Sequence, residues 1–558
     1  MNSKKRVIAR RAAIQSALGL AAGITGLNHA EAETKPARSS TPPPHPIVET
    51  TSGKIQGYSN RGVSAFLGIP YGASTWGPNR FLPPRKPEPW AGVRDCLNYG
   101  HACPELSARP IEQDVNKSNN SESQFLMYRV NGWIRGEDCL SANVWTPSAT
   151  QSAGRKRPVM VYMHGGGFTQ GMSNDLLYYD GENLARNHDV VVVTHNHRLN
   201  IFGYLNLAEF GDERYASSGN VGMLDIMAVL QWVRDNIANF GGDPSNVLIY
   251  GQSGGGSKVS NLMAMPSAQG LFHRAAAQSG SALRSGSPEA STRMTAAVLA
   301  ELGISQTQLD KLAGVPTIAL LDVQAAAQRR LQDGPVPDIR VGGWGPIVDG
   351  KLLPTHPFDP GAPSISANIP MLIGTCLNEG VHGTNDKFTN ADLLKNMRER
   401  YKEKAEDIVA AYRKEYPKDS PWNLWAAISA ATARVNAVTQ AERKAALRAA
   451  PAYMYLYAWP TPVLGGRVGT FHTAEVPFVF DNAALLPHYS GGTAEAMELS
   501  SKMGAAWAGL ARTGKPGHAG LPNWPAYDEK TRATMVFDTP CAIRNDPEGA
   551  GLRLIRQT

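Results

Sequence analysis

A serine flanked by small residues, placed directly after an apolar run, is the feature that most restricts how this chain folds. The run 246–250 leads into Gly-Gln-Ser-Gly-Gly at 251–255, a Gly-x-Ser-x-Gly pattern centred on Ser253. A strand that ends in this pattern predicts a sharp strand-to-helix turn, the nucleophile elbow, with the serine hydroxyl at its tip. The apolar segment 259–265 predicts the following helix, whose first amides favour negative charge beside the serine.

A second apolar run, 158–163, ends in His-Gly-Gly-Gly at 164–167. Consecutive glycines leave backbone N–H groups uncovered, so a substrate oxygen can approach them closely. Together with the elbow, this loop predicts an oxyanion hole, in which N–H groups bind the negative oxygen of an acyl-transfer intermediate. The alternative is a tight strand-to-loop turn with no catalytic role.

The order of apolar runs along the chain predicts the fold class. Strand-like runs alternate with helix-like segments after residue 158, which favours a parallel sheet with crossover helices; the runs are 158–163, 190–194, 246–250, 370–374 and 453–457. Short runs broken by Gly, Pro and Asn over 47–150 favour antiparallel strands. We therefore predict an α/β fold with a large, mostly parallel central sheet flanked by helices, and an antiparallel N-terminal portion.

Two longer segments have helical patterns. Residues 224–237 have apolar positions at helical spacing before the elbow strand. Residues 391–450 also read as helical, with Asn390 as the predicted N-cap. This second block either forms a wall over the active site or packs against the sheet, and the sequence leaves both open.

A serine hydroxyl needs a base to become a nucleophile, and the base needs an orienting acid. His472 lies in a loop after a predicted strand, where the base of such an enzyme belongs. The acid is expected between the serine and the histidine in chain order, and Glu379 follows the strand 370–374. Chain order alone leaves three competing acids: Asp338, Asp349 and Asp386.

Several separated segments resemble the type-B carboxylesterase family, in the subgroup of bacterial carboxylesterases. They follow the family's order over nearly all of 47–558, and besides the elbow they are 66–71, 137–140, 164–168, 219–225, 239–244, 278–280, 378–380 and 469–478. The resemblance implies the α/β-hydrolase fold and serine-dependent hydrolysis of carboxylic esters through an acyl-enzyme. The implied substrate is a small-molecule ester, with neither a cofactor nor a metal.

The family's functional residues fall on positions of this chain. The resemblance implies a catalytic triad of Ser253, Glu379 and His472. It implies an oxyanion hole formed by the amides of Gly166, Gly167 and Gly254. It also implies an early disulfide between Cys103 and Cys139. Many members have Glu immediately before the serine, where this chain has Gln252. The neutral amide argues against cationic substrates such as choline esters.

Other functions compete with this interpretation. The same scaffold serves as a non-catalytic binding or adhesion protein in members that lack part of the triad, whereas every triad position is occupied here. A hydrolase specialised for lipids, carbamates, lactones or polyesters also remains open, because the fold does not choose among substrates.

The N-terminus predicts export. Residues 1–32 have a basic stretch, a short apolar stretch and Ala-Glu-Ala before the end, which together indicate a signal peptide. Arg10 and Arg11 favour the twin-arginine route over the general secretory route, and the protein is then periplasmic or secreted. A Pro/Ser-rich linker is predicted over 33–46 and one catalytic domain over 47–558.

Composition argues against other classes of partner. Of the net charge of +7, residues 1–32 supply +4, and no basic patch with interleaved aromatics indicates nucleic-acid binding. No apolar run reaches the roughly 18–20 residues that span a bilayer. Without a Cys-x-x-Cys pair, and with no third ligand near His195 and His197, no metal site is predicted.

Overall fold

The structure, a computed structural model, describes residues 45–106, 134–147, 156–175, 177–332, 343–380 and 383–558. The predicted signal peptide and all of the predicted linker except its last two residues lie outside the described residues. Those two, His45 and Pro46, pair with Gly57: the His45 ring lies 3.0 Å from the Gly57 carbonyl oxygen, and the Gly57 N–H donates to the Pro46 carbonyl at 2.9 Å. The described residues therefore include the last two positions of the predicted linker.

The described residues contain fourteen strands in two sheets. In chain order they are β1 (Ile47–Thr50), β2 (Gly53–Gln56), β3 (Tyr58–Asn60), β4 (Val63–Pro70), β5 (Val93–Asp95), β6 (Ser141–Pro147), β7 (Arg157–Met163), β8 (Val191–His195), β9 (Gly242–Gln252), β10 (Arg274–Gln278), β11 (Met371–Cys376), β12 (Ala452–Tyr457), β13 (Ala533–Phe537) and β14 (Ala542–Asn545). Strands β1, β2 and β5 form a small sheet, and the other eleven form the central sheet in the order β14-β13-β12-β11-β10-β9-β7-β8-β6-β4-β3.

The central sheet has the predicted mixture of directions. Strands β13 through β8 in that order pair in parallel, whereas β3, β4, β6 and the edge strand β14 pair antiparallel. Apart from the polar start of β9, the parallel strands are largely apolar because helices cover both faces. Alternate residues of β7 show this, since Val159 and Val161 belong to one core cluster and Met160 and Tyr162 to the other.

Helices of eleven or more residues supply most of the two outer layers. In chain order the α-helices of the described residues are α1 (Glu182–His188), α2 (Asn200–Tyr204), α3 (Val221–Asn236), α4 (Gly254–Leu262), α5 (Pro288–Leu302), α6 (Thr317–Gln332), α7 (Asn390–Tyr401), α8 (Ala405–Glu415), α9 (Pro421–Ala446), α10 (Val476–Val479), α11 (Pro487–Ser490), α12 (Ala494–Thr513) and α13 (Gly549–Ile555). Helix α3 is the predicted crossover into the elbow strand.

The predicted helical block 391–450 is resolved into α7, α8 and α9. Helix α9 packs against β11 and β12, and a separate apolar cluster joins the three helices to α13. Packing against the sheet and the C-terminal helix therefore accounts for the block, which was one of the two alternatives.

The cap of α7 lies one residue before the predicted position. Thr389, not Asn390, is the N-cap: its hydroxyl accepts from the Asp392 N–H at 3.2 Å, and the Asp392 carboxylate accepts from the Thr389 N–H at 2.8 Å. This reciprocal capping box satisfies two amides that a cap at Asn390 would leave open.

Candidate active site

The serine of the Gly-x-Ser-x-Gly pattern lies alone between a strand and a helix. Strand β9 ends at Gln252 and α4 begins at Gly254, and Ser253 between them has φ 59° and ψ −122°. A non-glycine residue in this region is strained, and such strain is held where the surrounding structure requires it. The chain thus forms the predicted elbow, and Ser253 is partly exposed at its tip.

Close packing explains the glycines after the serine. A Cβ atom on Gly254 would lie 2.1 Å from the Gly167 carbonyl oxygen, and one on Gly255 would lie 1.9 Å from the Met163 oxygen. Only glycine allows the first turn of α4 to lie directly against the loop that follows β7. The elbow and the His-Gly-Gly-Gly loop are therefore two sides of one site.

That loop presents free backbone donors. Gly166 and Gly167 have φ of 85° and 65°, a left-handed conformation that favours glycine. Within the described part of the chain, neither of their N–H groups donates a hydrogen bond, and the N–H of Gly254 is one of the open amides of a helix start. Three donors near Ser253 can therefore serve a substrate oxygen.

Glu379 and His472 lie in direct contact. The Glu379 carboxylate is hydrogen-bonded to Nδ1 of His472, and the backbone N–H of His472 donates to the Glu379 carbonyl at 2.8 Å. The other carboxylate oxygen accepts from the Cys376 N–H at 2.9 Å, at the end of β11. The His472 side chain is 35% exposed and that of Glu379 only 8%, so the imidazole faces the open site and the acid is sheltered behind it.

Charge pairing sets the ionisation of these two groups. Burial would lower the pKa of His472, but the Glu379 carboxylate outweighs burial and raises this pKa above 6.5. Burial would also raise the pKa of Glu379, yet His472, the Ser279 hydroxyl and the Cys376 N–H together lower it. Glu379 is therefore an anion that stabilises a protonated imidazole.

The competing acids do not occupy this position. Asp349 accepts from the Asn220 side chain at 2.9 Å and from three backbone amides of its own turn, so its role is structural. Asp386 is exposed on a loop, and Asp338 lies outside the described residues. Of the acids with a described position, Glu379 is the one bonded to His472.

In the described structure, Gln252 next to Ser253 contacts His472, but no hydrogen bond joins Ser253 and His472. Among the described contacts, the nearest partner of the imidazole on the serine side is Gln252, whose side-chain nitrogen lies 3.2 Å from Nε2 and 3.4 Å from Nδ1. Hydrogen bonds of catalytic groups are often loose without substrate and tighten in the complex. The contact between Gln252 and the base was not foreseen from the sequence, although the position before the serine was noted.

Comparison with known proteins shows the family of the chain. The model of the carboxylesterase family matches residues 44–553. The chain belongs to this family. A para-nitrobenzyl esterase of Bacillus subtilis (strain 168) is 37% identical over 513 residues, covering 90% of this chain and 97% of the relative. A cocaine esterase of Homo sapiens is 32% identical over 528 residues, covering 89% of each chain.

A solved structure agrees with the fold. An esterase from anaerobic Clostridium hathewayi, described as able to hydrolyse aliphatic aromatic polyesters, has a TM-score of 0.78 and 36% identity, over 92% of this chain and 98% of the other. The predicted α/β-hydrolase fold and the predicted membership of the carboxylesterases are confirmed. This carboxylesterase is a carboxylic ester hydrolase, and serine catalysis is general in its family.

The two cysteines of the predicted disulfide lie together in this carboxylesterase as free thiols. Both are buried, and the side-chain hydrogen bond from Cys103, with burial, raises the pKa of the Cys139 thiol well above its usual value. The structure therefore supplies the proximity that a disulfide needs but not the bond. The disulfide stays a prediction.

A second buried carboxyl lies near Glu379, and no role was predicted for it from the sequence. Glu475 is fully buried and accepts from the Cys376 thiol at 2.9 Å. Burial raises its pKa, so its neutral form is favoured more than that of an exposed glutamate. Position three residues after His472 was the only signal for it.

A cavity of about 250 Å³ opens beside the elbow helix of the carboxylesterase. It is lined by Ser257, one turn after Ser253, and by Phe168, which follows the glycine loop; Gly286 and Trp344 form part of the opposite wall. Ser253 itself does not line it. The cavity therefore lies next to the elbow, one helical turn from Ser253.

No helix among the described residues is both long and apolar enough to cross a membrane. Across the same residues, no group of three or more His, Cys, Asp or Glu side chains is arranged to hold a metal ion.

Proposed function

We propose that this carboxylesterase uses Ser253 as nucleophile, His472 as general base and Glu379 as the acid that orients the base. The observation that carries the assignment is the direct contact of the sheltered Glu379 carboxylate with Nδ1 of His472. This contact leaves Nε2 as the nitrogen available to a serine proton. Among the described contacts, Gln252 is the only residue on the serine side that contacts this nitrogen.

The reaction follows from these positions. Ser253 attacks the ester carbonyl carbon while Nε2 of His472 takes its proton, and Glu379 stabilises the imidazolium that forms. The N–H groups of Gly166, Gly167 and Gly254 bind the oxyanion of the tetrahedral intermediate. His472 then gives its proton to the leaving alcohol, and water activated by the same imidazole hydrolyses the acyl-enzyme.

Labelling with a fluorophosphonate tests the assignment of the nucleophile. The reagent phosphonylates an activated serine and releases fluoride, so we expect one label per chain on the peptide that contains Ser253, with activity lost in proportion. The measurement is the mass of the labelled peptide and its fragments. A label on neighbouring Ser257 or Ser279, with Ser253 unmodified, would contradict the proposal.

The cavity beside α4 supports a role in substrate selection. It is large enough for a short acyl or alkyl group and combines the aromatic Phe168 and Trp344 with hydroxyl groups. We therefore infer that it receives one of the two groups that flank the scissile bond.

Gly286→Leu tests the role of the cavity. A Cβ atom at this position already approaches Ile347 and the Pro346 oxygen at 3.3 Å, so a leucine side chain must occupy the cavity. We expect kcat/KM to fall about 10-fold or more for the larger esters, and little for p-nitrophenyl acetate. Two ester series, one extended in the acyl group and one in the alcohol, identify which group the cavity holds. An unchanged profile in both series would exclude the cavity from substrate binding.

Export and the disulfide are proposed together because each supports the other. A signal peptide over 1–32 carries the chain to an oxidising compartment, where buried thiols in contact, such as Cys103 and Cys139, form disulfides. The intact mass of protein from its native cells tests both, through loss of the leader and of two hydrogens. A full-length, fully reduced chain would contradict both.

A further inference from the structure

A buried lysine beneath the glycine loop has no acidic partner among the residues that the structure describes. Lys258 in α4 is 0% exposed, and its Nζ donates to the His164 carbonyl oxygen at 3.0 Å. The same nitrogen lies 5.5 Å from the centre of the Phe168 ring. Across the described residues, no carboxylate pairs with it. His164 and Phe168 are the residues immediately before and after the three glycines, so one ammonium group holds both ends of the loop.

The position of Lys258 on its helix explains how it reaches the loop. It follows Gly254 by four residues and Gly255 by three, so it shares the helix face that packs against the loop. Side chains of a helix point back toward its N-terminus, and a lysine at this position therefore extends under the loop.

This arrangement does not favour stability. An unpaired cation in a protein interior is costly, and a carbonyl oxygen with one aromatic face compensates only in part. Burial lowers the pKa of Lys258 to about 7. The titratable side chains around it are the imidazoles of His164, His195 and His197; the charge of Lys258 adds to burial in lowering the pKa of the last two. None of these groups supplies a negative charge.

We propose that Lys258 is a positioning residue of the oxyanion hole, which fixes the glycine loop at both ends and holds a positive charge beneath it. Glycines are the most mobile residues of a chain, and donors stabilise a transition state only if they are held in place beforehand. In the described structure of the resting protein, no negatively charged group pairs with Lys258. During the reaction, a negative charge forms on the carbonyl oxygen of the substrate, above the loop that Lys258 holds. The inference rests on the proposed roles of Gly166, Gly167 and Gly254.

Lys258→Met tests the inference, because methionine keeps most of the length and removes the charge and the hydrogen bond. At pH 7 or below, where at least half of Lys258 is charged, we expect kcat per titrated active site to fall about 10- to 100-fold with KM nearly unchanged, which is less than the loss of an oxyanion donor itself. Affinity for a trifluoromethyl ketone, whose adduct bears an oxyanion, should fall by a similar factor. At pH 6, where wild-type Lys258 is charged in the fold, removal of its burial penalty should leave Tm unchanged or raised.

Lys444→Met is the matched control. Lys444 is also fully buried, donates to the carbonyl oxygens of Ser366 and Ala367, and has a pKa lowered by burial to about 8. Its partners Ser366 and Ala367 precede β11, whereas Glu379 follows that strand, so Lys444 lies at the opposite end of β11 from Glu379. We expect its replacement to leave kcat and the affinity for the ketone unchanged.

Two outcomes would overturn the inference. The first is a Lys258→Met protein with wild-type kcat per titrated site and wild-type affinity for the ketone. The second is equal losses in Lys258→Met and Lys444→Met, since these would reflect a general effect of removing a buried lysine. Failure of the triad assignment is separate, because it would show as fluorophosphonate labelling of wild-type protein away from Ser253.

Discussion

Ser253→Ala is expected to lower kcat for a short-chain p-nitrophenyl ester by about 10⁶, because loss of the nucleophile disables the triad as a unit. The remaining rate, about 10³–10⁴ above the reaction in water, comes from the oxyanion hole and substrate binding. In the described structure, the Ser253 hydroxyl makes no hydrogen bond, so we expect Tm to stay at its wild-type value. Steady-state kinetics and thermal unfolding measure the two quantities.

Ser260→Ala is the control for this substitution. Ser260 lies on the same helix, but its hydroxyl is buried and donates to the Gly256 carbonyl oxygen at 2.9 Å. The same oxygen accepts from the buried Gln440 side chain at 2.9 Å, so we expect removal of the hydroxyl to cost about 1–3 kcal/mol of stability but to change kcat less than 10-fold. Equal rates for the wild-type protein and Ser253→Ala would remove this serine from the mechanism and place the nucleophile elsewhere.

Glu379→Gln is expected to lower kcat by about 10⁴, because the amide no longer stabilises the imidazolium and favours the wrong tautomer of His472. The pH profile should move as well. The Glu379 carboxylate raises the pKa of His472 above 6.5, and only the neutral imidazole acts as a base. Wild-type kcat/KM therefore rises with pH through this raised pKa, and in Glu379→Gln the rise should occur at lower pH.

Glu475→Gln separates the acid of the triad from a nearby buried carboxyl. Glu475 is as buried as Glu379 but bonds to the Cys376 thiol and not to His472. We expect this variant to lose less than 10-fold in kcat and to move the pH profile down less than Glu379→Gln does, because Glu475 raises the pKa of His472 less than Glu379 does. If its loss equalled that of Glu379→Gln, the two carboxyls would share the role that we give to one.

The parts of the site that could be predicted from the sequence are those formed by residues close together along the chain. The elbow at Ser253 and the loop at Gly166 and Gly167 need only a strand followed by glycines, and both form as expected. Five strands of the central sheet were predicted to within a few residues, because burial on both faces makes each a continuous apolar run. Strand β9 begins earlier than predicted, at Gly242, because an irregularity in its pairing with β7 accommodates the polar residues.

Contacts between distant segments were outside the reach of local patterns. Glu379 could be separated from Asp349 and Asp386 only by the family resemblance, and its bond to His472 is the observation on which we propose it as the acid. Lys258 reads as an ordinary charged residue of a helix, since nothing in the sequence shows that two glycines on its face bring a loop over it. Burial of charge is a property of the assembled layers, and the same holds for Glu475.

The proposed acid, Glu379, and the proposed base, His472, lie on two backbone segments that are hydrogen-bonded to each other. The main chains of Glu379 and Phe471 pair as in a sheet, and Asn378 exchanges hydrogen bonds with Thr470 through both backbone and side chain. Because these hydrogen bonds join the two segments directly, we expect thermal motion to leave the distance between Glu379 and His472 nearly constant. Ser253 follows a different strand, β9, and belongs to no such pairing with His472, so its alignment with the imidazole depends on how the layers of the fold pack.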